Sequence, residues 1–301
     1  MNLCFDCPHE CGVDKTSLST GFCASDNKLQ ISSICVHKGE EPPISGKNGI
    51  CNIFFNRCNL QCVYCQNFQI SRLSGKVIDA GYTLKSAVDS IIEKIHQGVN
   101  AIGFVSPSHR IQQVIEMIEQ IKIAGNYPTI VYNTNAYDKI ESLKKLESHV
   151  DVYLPDFKYM DTNLAQEYSG VSNYVKIAQQ SIKEMFSQKG SELVLDKNGN
   201  AINGLIIRHL ILPGQIENSK NVLRFIASEL STDINVSLMS QYFPTPAVMN
   251  HPLLSRRVTQ DEYDEVIEEM GRLGFENGWV QELGSAEYYL PNFQKENPFE
   301  S

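Results

Sequence analysis

The chain has 301 residues, 42% of them hydrophobic and 20% charged, with a formal net charge of -9 and a pI of about 5.3. That composition suits an ordinary soluble protein with one large core or two small ones, and it argues against a broad basic face for nucleic acid. No apolar run approaches the roughly 18 residues of a membrane span. The opening stretch MNLCFDCPHECGVDK lacks the basic and apolar regions of a secretory signal, so the expected location is the cytoplasm. Neither nucleic acid nor membrane is an expected partner.

All nine cysteines lie within the first 65 residues, at positions 4, 7, 11, 23, 35, 51, 58, 62 and 65. A reducing compartment and an odd count both disfavour a disulfide framework. Segregation of this kind points to metal ligands, with Cys35 and Cys51 left over as small packing residues.

Taken in chain order, residues 1–35 are Cys-rich with little hydrophobic periodicity, and read as a small metal-binding module. The Gly-, Pro- and charge-rich stretch HKGEEPPISGKNG then reads as a linker over 36–49. From residue 50 the pattern changes. ICNIFF predicts a strand, and Leu84, Val88, Ile91, Ile92 and Ile95 predict a helix closed by Gly98. AIGFVSP is strand-like; Ile111, Val114, Ile115, Ile118 and Ile121 repeat the helical spacing. TIVYNTN is followed by a short helix around 139–147, and VDVYLPDFKY reads as the next strand. A helix over 172–187 precedes a hairpin turning at Asn198-Gly199. A helix over 219–230, the strand INVSLMSQY, a last helix through Tyr263, Val266, Ile267, Met270 and Leu273, and the short strand WVQEL complete the series. Residues 286–301 read as an extended tail. Strand and helix alternate about six times, short of the eight units of a closed barrel. The expected fold is α/β: a partial, open (β/α)6 TIM-like barrel over 50–285.

Cys58, Cys62 and Cys65, in FFNRCNLQCVYCQN, begin just after the first barrel strand, where such folds keep their chemistry. Three thiolates can hold three irons of a 4Fe–4S cube and leave the fourth without a protein ligand. An open coordination position is the mark of a catalytic metal site.

This spacing resembles the radical S-adenosylmethionine (radical SAM) superfamily. The resemblance implies that the amino and carboxylate groups of S-adenosylmethionine fill the open iron, and that Tyr64, before the third cysteine, lies near the adenine. YNTNAY, YLPDFKY, IIRHLILPG and MSQY extend the likeness to the pyruvate formate-lyase activating enzymes and their activating-enzyme-like branch, which shares a Cys-rich leader. By that likeness Asn133 and Asn135, Asp156 and Lys158, and Arg208 are cofactor-facing groups at successive strand ends. Three departures stand out. VSPSHR replaces the Gly-Gly-Glu that often meets the methionine amino group, making Ser106 and Ser108 the candidates there. Asn133 stands where the activating enzymes have aspartate. Gln241 sits near the place of their late histidine.

Cys4, Cys7, Cys11 and Cys23 supply four thiolates, the number needed by a closed zinc site and equally by a complete auxiliary 4Fe–4S cluster. His109 and His209 read as hydrogen-bonded structural histidines, and Tyr242 as packing. The implied activity is radical hydrogen abstraction, from a protein glycine in the manner of an activase or from a small molecule or peptide. A flavodoxin or ferredoxin would supply the electron, under anaerobic conditions. The alternative of another class is a non-catalytic iron–sulfur or zinc protein for electron transfer or scaffolding.

Overall fold

The structure, a computed structural model, describes residues 3–16, 21–73, 77–284 and 290–300. Its strands are β1 (Ile31–His37), β2 (Ile50–Phe55), β3 (Ala101–Val105), β4 (Thr129–Thr134), β5 (Val152–Pro155), β6 (Val194–Leu195), β7 (Ala201–Leu210), β8 (Asn235–Met239) and β9 (Gly278–Val280). Its helices are α1 (Pro42–Ser45), α2 (Phe68–Ser71), α3 (Leu84–His96), α4 (Ile111–Ile123), α5 (Ile140–Leu146), α6 (Thr162–Ser169), α7 (Tyr174–Lys189), α8 (Ile216–Glu229) and α9 (Gln260–Arg272).

The sheet runs β1-β2-β3-β4-β5-β7-β8-β9, with β6 added to β7 as the hairpin arm. β2, β3, β4, β5, β7 and β8 run parallel to one another in that order and are joined by helical crossovers, which makes the expected six units. β9 adds a short seventh parallel strand, and β1 pairs antiparallel on the opposite edge. Among the described residues β1 and β9 do not pair, so the barrel stays open on that side.

Side-chain alternation divides two buried layers. Cys51, Ile53 and Phe55 of β2, and Ile130 and Tyr132 of β4, face out to the helices. Ile50, Val131, Val152, Leu154 and Ile206 face in and pack with one another. A strand buried on both faces reads as a continuous apolar run, which explains ICNIFF. The helices start where chemistry provides caps. Thr83 and Thr259 each form reciprocal capping boxes with Ser86 and Glu262, and Asp161 caps α6.

Three sequence boundaries need correction. The Cys-rich module ends before residue 35, because β1 lies in the sheet with Cys35 opposite Asn52. It docks through Arg110, whose guanidinium donates to the carbonyls of Asp26 (2.7 Å) and Lys28 (2.9 Å) and to Gln30 Oε1 (3.1 Å). Residues 36–49 are not a linker. Ile44 is buried among the inward-facing barrel residues, so this segment fills the floor of the barrel. Its Gly and Pro residues are those of a tight fitting turn, which composition cannot distinguish from a flexible one. Finally, residues 290–300 of the expected tail pack back on the barrel. Phe293 is buried against Phe54, with ring centroids 5.2 Å apart; positions 286–289 and 301 lie outside the described residues.

Cys35 and Cys51 are buried among apolar side chains. His209 donates from Nδ1 to the Phe157 carbonyl (2.7 Å) and accepts at Nε2 from the Ser219 hydroxyl (2.8 Å). His109 Nε2 donates to the Asn56 carbonyl (2.9 Å). Burial lowers their pKa values, to about 4 for His209 and about 3 for His109. Tyr242 is buried and donates to the Leu254 carbonyl.

Two outcomes are expected. Ile44→Ala should cost about 2–5 kcal/mol in urea unfolding, the range for a truncated core residue; a linker residue would cost almost nothing. Because the folded pKa of His209 lies below the unfolded value, its neutral form contributes stability above about pH 6.5, lost as pH falls toward about 4. At about 1.4 kcal/mol per pH unit this reaches roughly 3 kcal/mol. His209→Gln should flatten the acid limb of a stability-against-pH curve measured by circular dichroism.

Candidate active site

The first three crossovers leave the barrel through backbone in the left-handed region: Arg57 (φ 70°) before Cys58, Ser106 (φ 49°) after β3 and Ala136 (φ 61°) after Asn135. Non-glycine residues adopt this conformation at a cost, and such positions cluster at functional sites. Here they turn three successive strand ends toward one point.

Cys58, Cys62 and Cys65 border a cavity of about 180 Å³ at that point. Tyr64, Ser106, Asn133, Asn135, Asp156, Lys158 and Arg208 line the same cavity. Every residue expected there from the sequence is brought together except Ser108, which turns away to Thr134 Oγ1 (3.3 Å). Gln241 lines the cavity as well.

Each thiol has its own side-chain partner. Asn135 Nδ2 donates to Cys58 Sγ (3.4 Å), the Ser169 hydroxyl lies 2.9 Å from Cys62 Sγ, and the Ser71 hydroxyl donates to Cys65 Sγ (3.3 Å). Asn135 also donates to Asn59 Oδ1 (2.8 Å), holding the loop between the first two cysteines. Ser169 continues to Tyr159 (2.7 Å), and Tyr159 to Tyr64 (2.6 Å). Ser71 and Ser169 were not foreseen; one follows the motif by six residues and the other lies in α6, which the sequence reading missed.

Asp156 and Lys158 form an ion pair at 2.8 Å, and the ammonium also feels Cys62. The pair is half-buried beside the cysteines, where both residues line the cavity. Burial pushes the Cys58 thiol up to about 12 and the Cys62 thiol to about 11. Ligation there must expel protons, as it does at any thiolate site.

Arg208 lines the cavity and is also held by two carboxylates. Its Nε donates to Glu41 Oε1 (2.8 Å), its Nη2 donates to Glu41 Oε2 (2.5 Å), and Nη2 also reaches Glu40 Oε2. Glu40 Oε1 accepts from Asn52 Nδ2 (2.7 Å). A Cβ at residue 103 would collide with the Asn52 amide, so glycine there makes room for this layer. The guanidinium lines the cavity with its charge already engaged by two carboxylates from the supposed linker.

Among the described residues no three His, Cys, Asp or Glu side chains converge on a single metal ion. In a 4Fe–4S cube each thiolate binds a different iron, so Cys58, Cys62 and Cys65 need not meet at one centre. The donor set and the adjoining cavity therefore fit a 4Fe–4S cluster with one face open. Cys4, Cys7, Cys11 and Cys23 gather at the module, where the other three thiols act on Cys7. The module touches the cluster loop directly, His9 Nε2 donating to the Asn59 carbonyl (2.8 Å).

Residues 44–177 match the family model of a 4Fe-4S single cluster domain. An uncharacterized protein of Methanocaldococcus jannaschii is 29% identical over 272 residues, covering 88% of this chain and 73% of that protein. Among solved structures, HydG, a maturase of the FeFe-hydrogenase, aligns with a TM-score of 0.53 at 10% identity, over 77% of this chain and 52% of HydG; this likeness concerns the fold alone. A domain of pyruvate-formate lyase-activating enzyme from Bacteroides vulgatus aligns with a TM-score of 0.40 at 14% identity, over 57% of this chain and 93% of that domain. The C-x3-C-x2-C loop lies within the segment that matches the 4Fe–4S domain, at the mouth of a partial (β/α)6 barrel.

Proposed function

We propose that this protein cleaves S-adenosylmethionine reductively and uses the resulting radical to abstract hydrogen from a substrate. The observation that carries this is the joint lining of one cavity by the three cysteines and the strand-end polar groups. When bound, a reduced 4Fe–4S cluster with S-adenosylmethionine at its open iron supplies one-electron cleavage of the sulfonium and hence a 5′-deoxyadenosyl radical.

The chain's own residues then have distinct tasks. Cys58, Cys62 and Cys65 hold the cluster. Asn135, Ser169 and Ser71 donate to the three sulfurs, which stabilises the more negative, reduced state. Ser106 and Asn133 face the methionine and ribose end, Tyr64 the adenine, and the Asp156–Lys158 pair fixes polarity at the fifth strand end. The electron comes from an external donor such as flavodoxin or ferredoxin. The Cys-rich module, abutting Asn59, is a zinc-held docking element or a second cluster site.

Two substrate readings follow. The strand-end motifs favour an activase acting on a protein glycine. A second, sizeable cavity beside the first favours a small molecule or peptide, and is taken up below. No helix among the described residues is long and apolar enough to cross a membrane.

Anaerobic reconstitution with iron and sulfide, followed by reduction with S-adenosylmethionine, should yield 5′-deoxyadenosine by liquid chromatography. Cys62→Ala should abolish it; no cleavage by the native chain beside an active control enzyme would remove the catalytic reading in favour of an electron-transfer protein. A glycyl doublet in the paramagnetic resonance spectrum of a partner enzyme would support the activase reading. Ser169→Ala should lower the cluster's midpoint potential by about 59 mV, a tenfold change in a one-electron equilibrium. An unchanged potential would leave Ser169 a packing residue.

A further inference from the structure

Beside the cysteine-lined cavity lies a second one of about 340 Å³, within the range of small-molecule sites. The two share seven lining residues, Asn133, Arg208, Met239 and Gln241 among them, so they adjoin without an intervening layer of protein. Its other walls come from both edges of the open barrel: His37 of β1, Trp279 of β9, and Phe299 from the returning C-terminal segment.

Charge in this cavity does not balance. Among its described lining residues, Arg208 is the one permanent cation, and Glu40 and Glu41 both face it. All four carboxylate oxygens accept hydrogen bonds from nitrogen donors, the arrangement of two ionised groups. Burial would raise Glu40, but Arg208 prevails and holds it at about 2. His37 is lowered by burial and adds no positive charge at neutral pH. The neighbouring Asp156 and Lys158 cancel each other. One negative charge is left over in a largely desolvated place, where an uncompensated ion is costly.

Two further features point to what supplies the compensation. Phe54, Trp279 and Phe299 line the cavity, and aromatic faces attract cations. Ser237 is 2% exposed and lines the same cavity from β8. A hydroxyl on the cavity wall can both donate to and accept from a ligand.

We propose that this lateral cavity is the substrate pocket and that it takes the ammonium group of a small amine, which balances Glu40 and Glu41 and meets the Ser237 hydroxyl and the aromatic walls. The inference rests on the radical SAM reading of the adjoining cavity, since that reading makes the shared wall the place where hydrogen would be abstracted.

Trp279 is the chain's single tryptophan, so its fluorescence reports this cavity directly. The reconstituted protein would be titrated with three chains of like size: n-pentylammonium, pentan-1-ol and pentanoate. A saturable change with n-pentylammonium is expected, with pentan-1-ol at least about tenfold weaker, corresponding to about 1.4 kcal/mol, and pentanoate without effect. Glu40→Gln should erase most of that preference and Ser237→Val should weaken the ammonium further, each checked for an unchanged circular dichroism spectrum. Equal binding of the three probes, or no saturable response to any of them, overturns the proposal; the native-chain comparison needs no variant. The parallel 5′-deoxyadenosine assay separates the two claims: ammonium selectivity without cleavage keeps the pocket and removes the radical reading. Cleavage without selectivity does the reverse.

Discussion

The ion cluster of Arg208 with Glu40 and Glu41 is the constraint on which the rest of the barrel depends. A guanidinium on an inward-facing strand position cannot remain there without anions, because removing one partner of a buried pair typically costs about 3–5 kcal/mol. The anions come from the segment between β1 and β2, and supplying them forces that segment into the barrel. Once there, Ile44 completes the apolar floor and Asn52 joins the polar layer against Gly103. The layer in turn forms the base on which both cavities stand. Fold and site are therefore held by one arrangement: apolar floor, charged middle, reactive mouth.

At the mouth the constraint is conformational. Arg57, Ser106 and Ala136 hold left-handed backbone at three consecutive strand ends. These turns deliver Cys58, the Ser106 side and Asn135 to a common space instead of letting the chain run straight into the following helices. The hydrogen bonds from Asn135, Ser169 and Ser71 then fix the three thiols, each from a different element. A cube held in this way can be reduced without rearranging its surroundings, because the donors are already in place.

Much of this was legible in the sequence. The six-unit alternation survives in the structure because helices with one apolar face and strands buried on both faces leave strong periodic signals. The cysteine loop and the polar groups at Asn133, Asn135, Asp156 and Lys158 were legible because strand ends of a parallel barrel converge whatever their separation along the chain. Glu40 and Glu41 were not, since charges among Gly and Pro look like a solvated loop until Arg208 is seen opposite them. β1 was missed because its residues lie inside the Cys-rich stretch, where thiols masked the strand pattern. Ser71 and Ser169 carry no local mark of their role, as a serine donor to sulfur is defined by placement alone. Arg208 shows the limit most clearly: the residue was singled out as a buried charge in an apolar strand and it lines the cavity, but the two glutamates that hold it were not foreseen.

The central claim is that three thiolates leave one iron of a cube open toward the polar strand ends. Paramagnetic resonance of the reduced, reconstituted protein, recorded with and without S-adenosylmethionine, tests it most directly. The account predicts a 4Fe–4S signal whose g values shift when S-adenosylmethionine is added. The same spectrum in both samples, from an intact and fully reduced cluster, would contradict it.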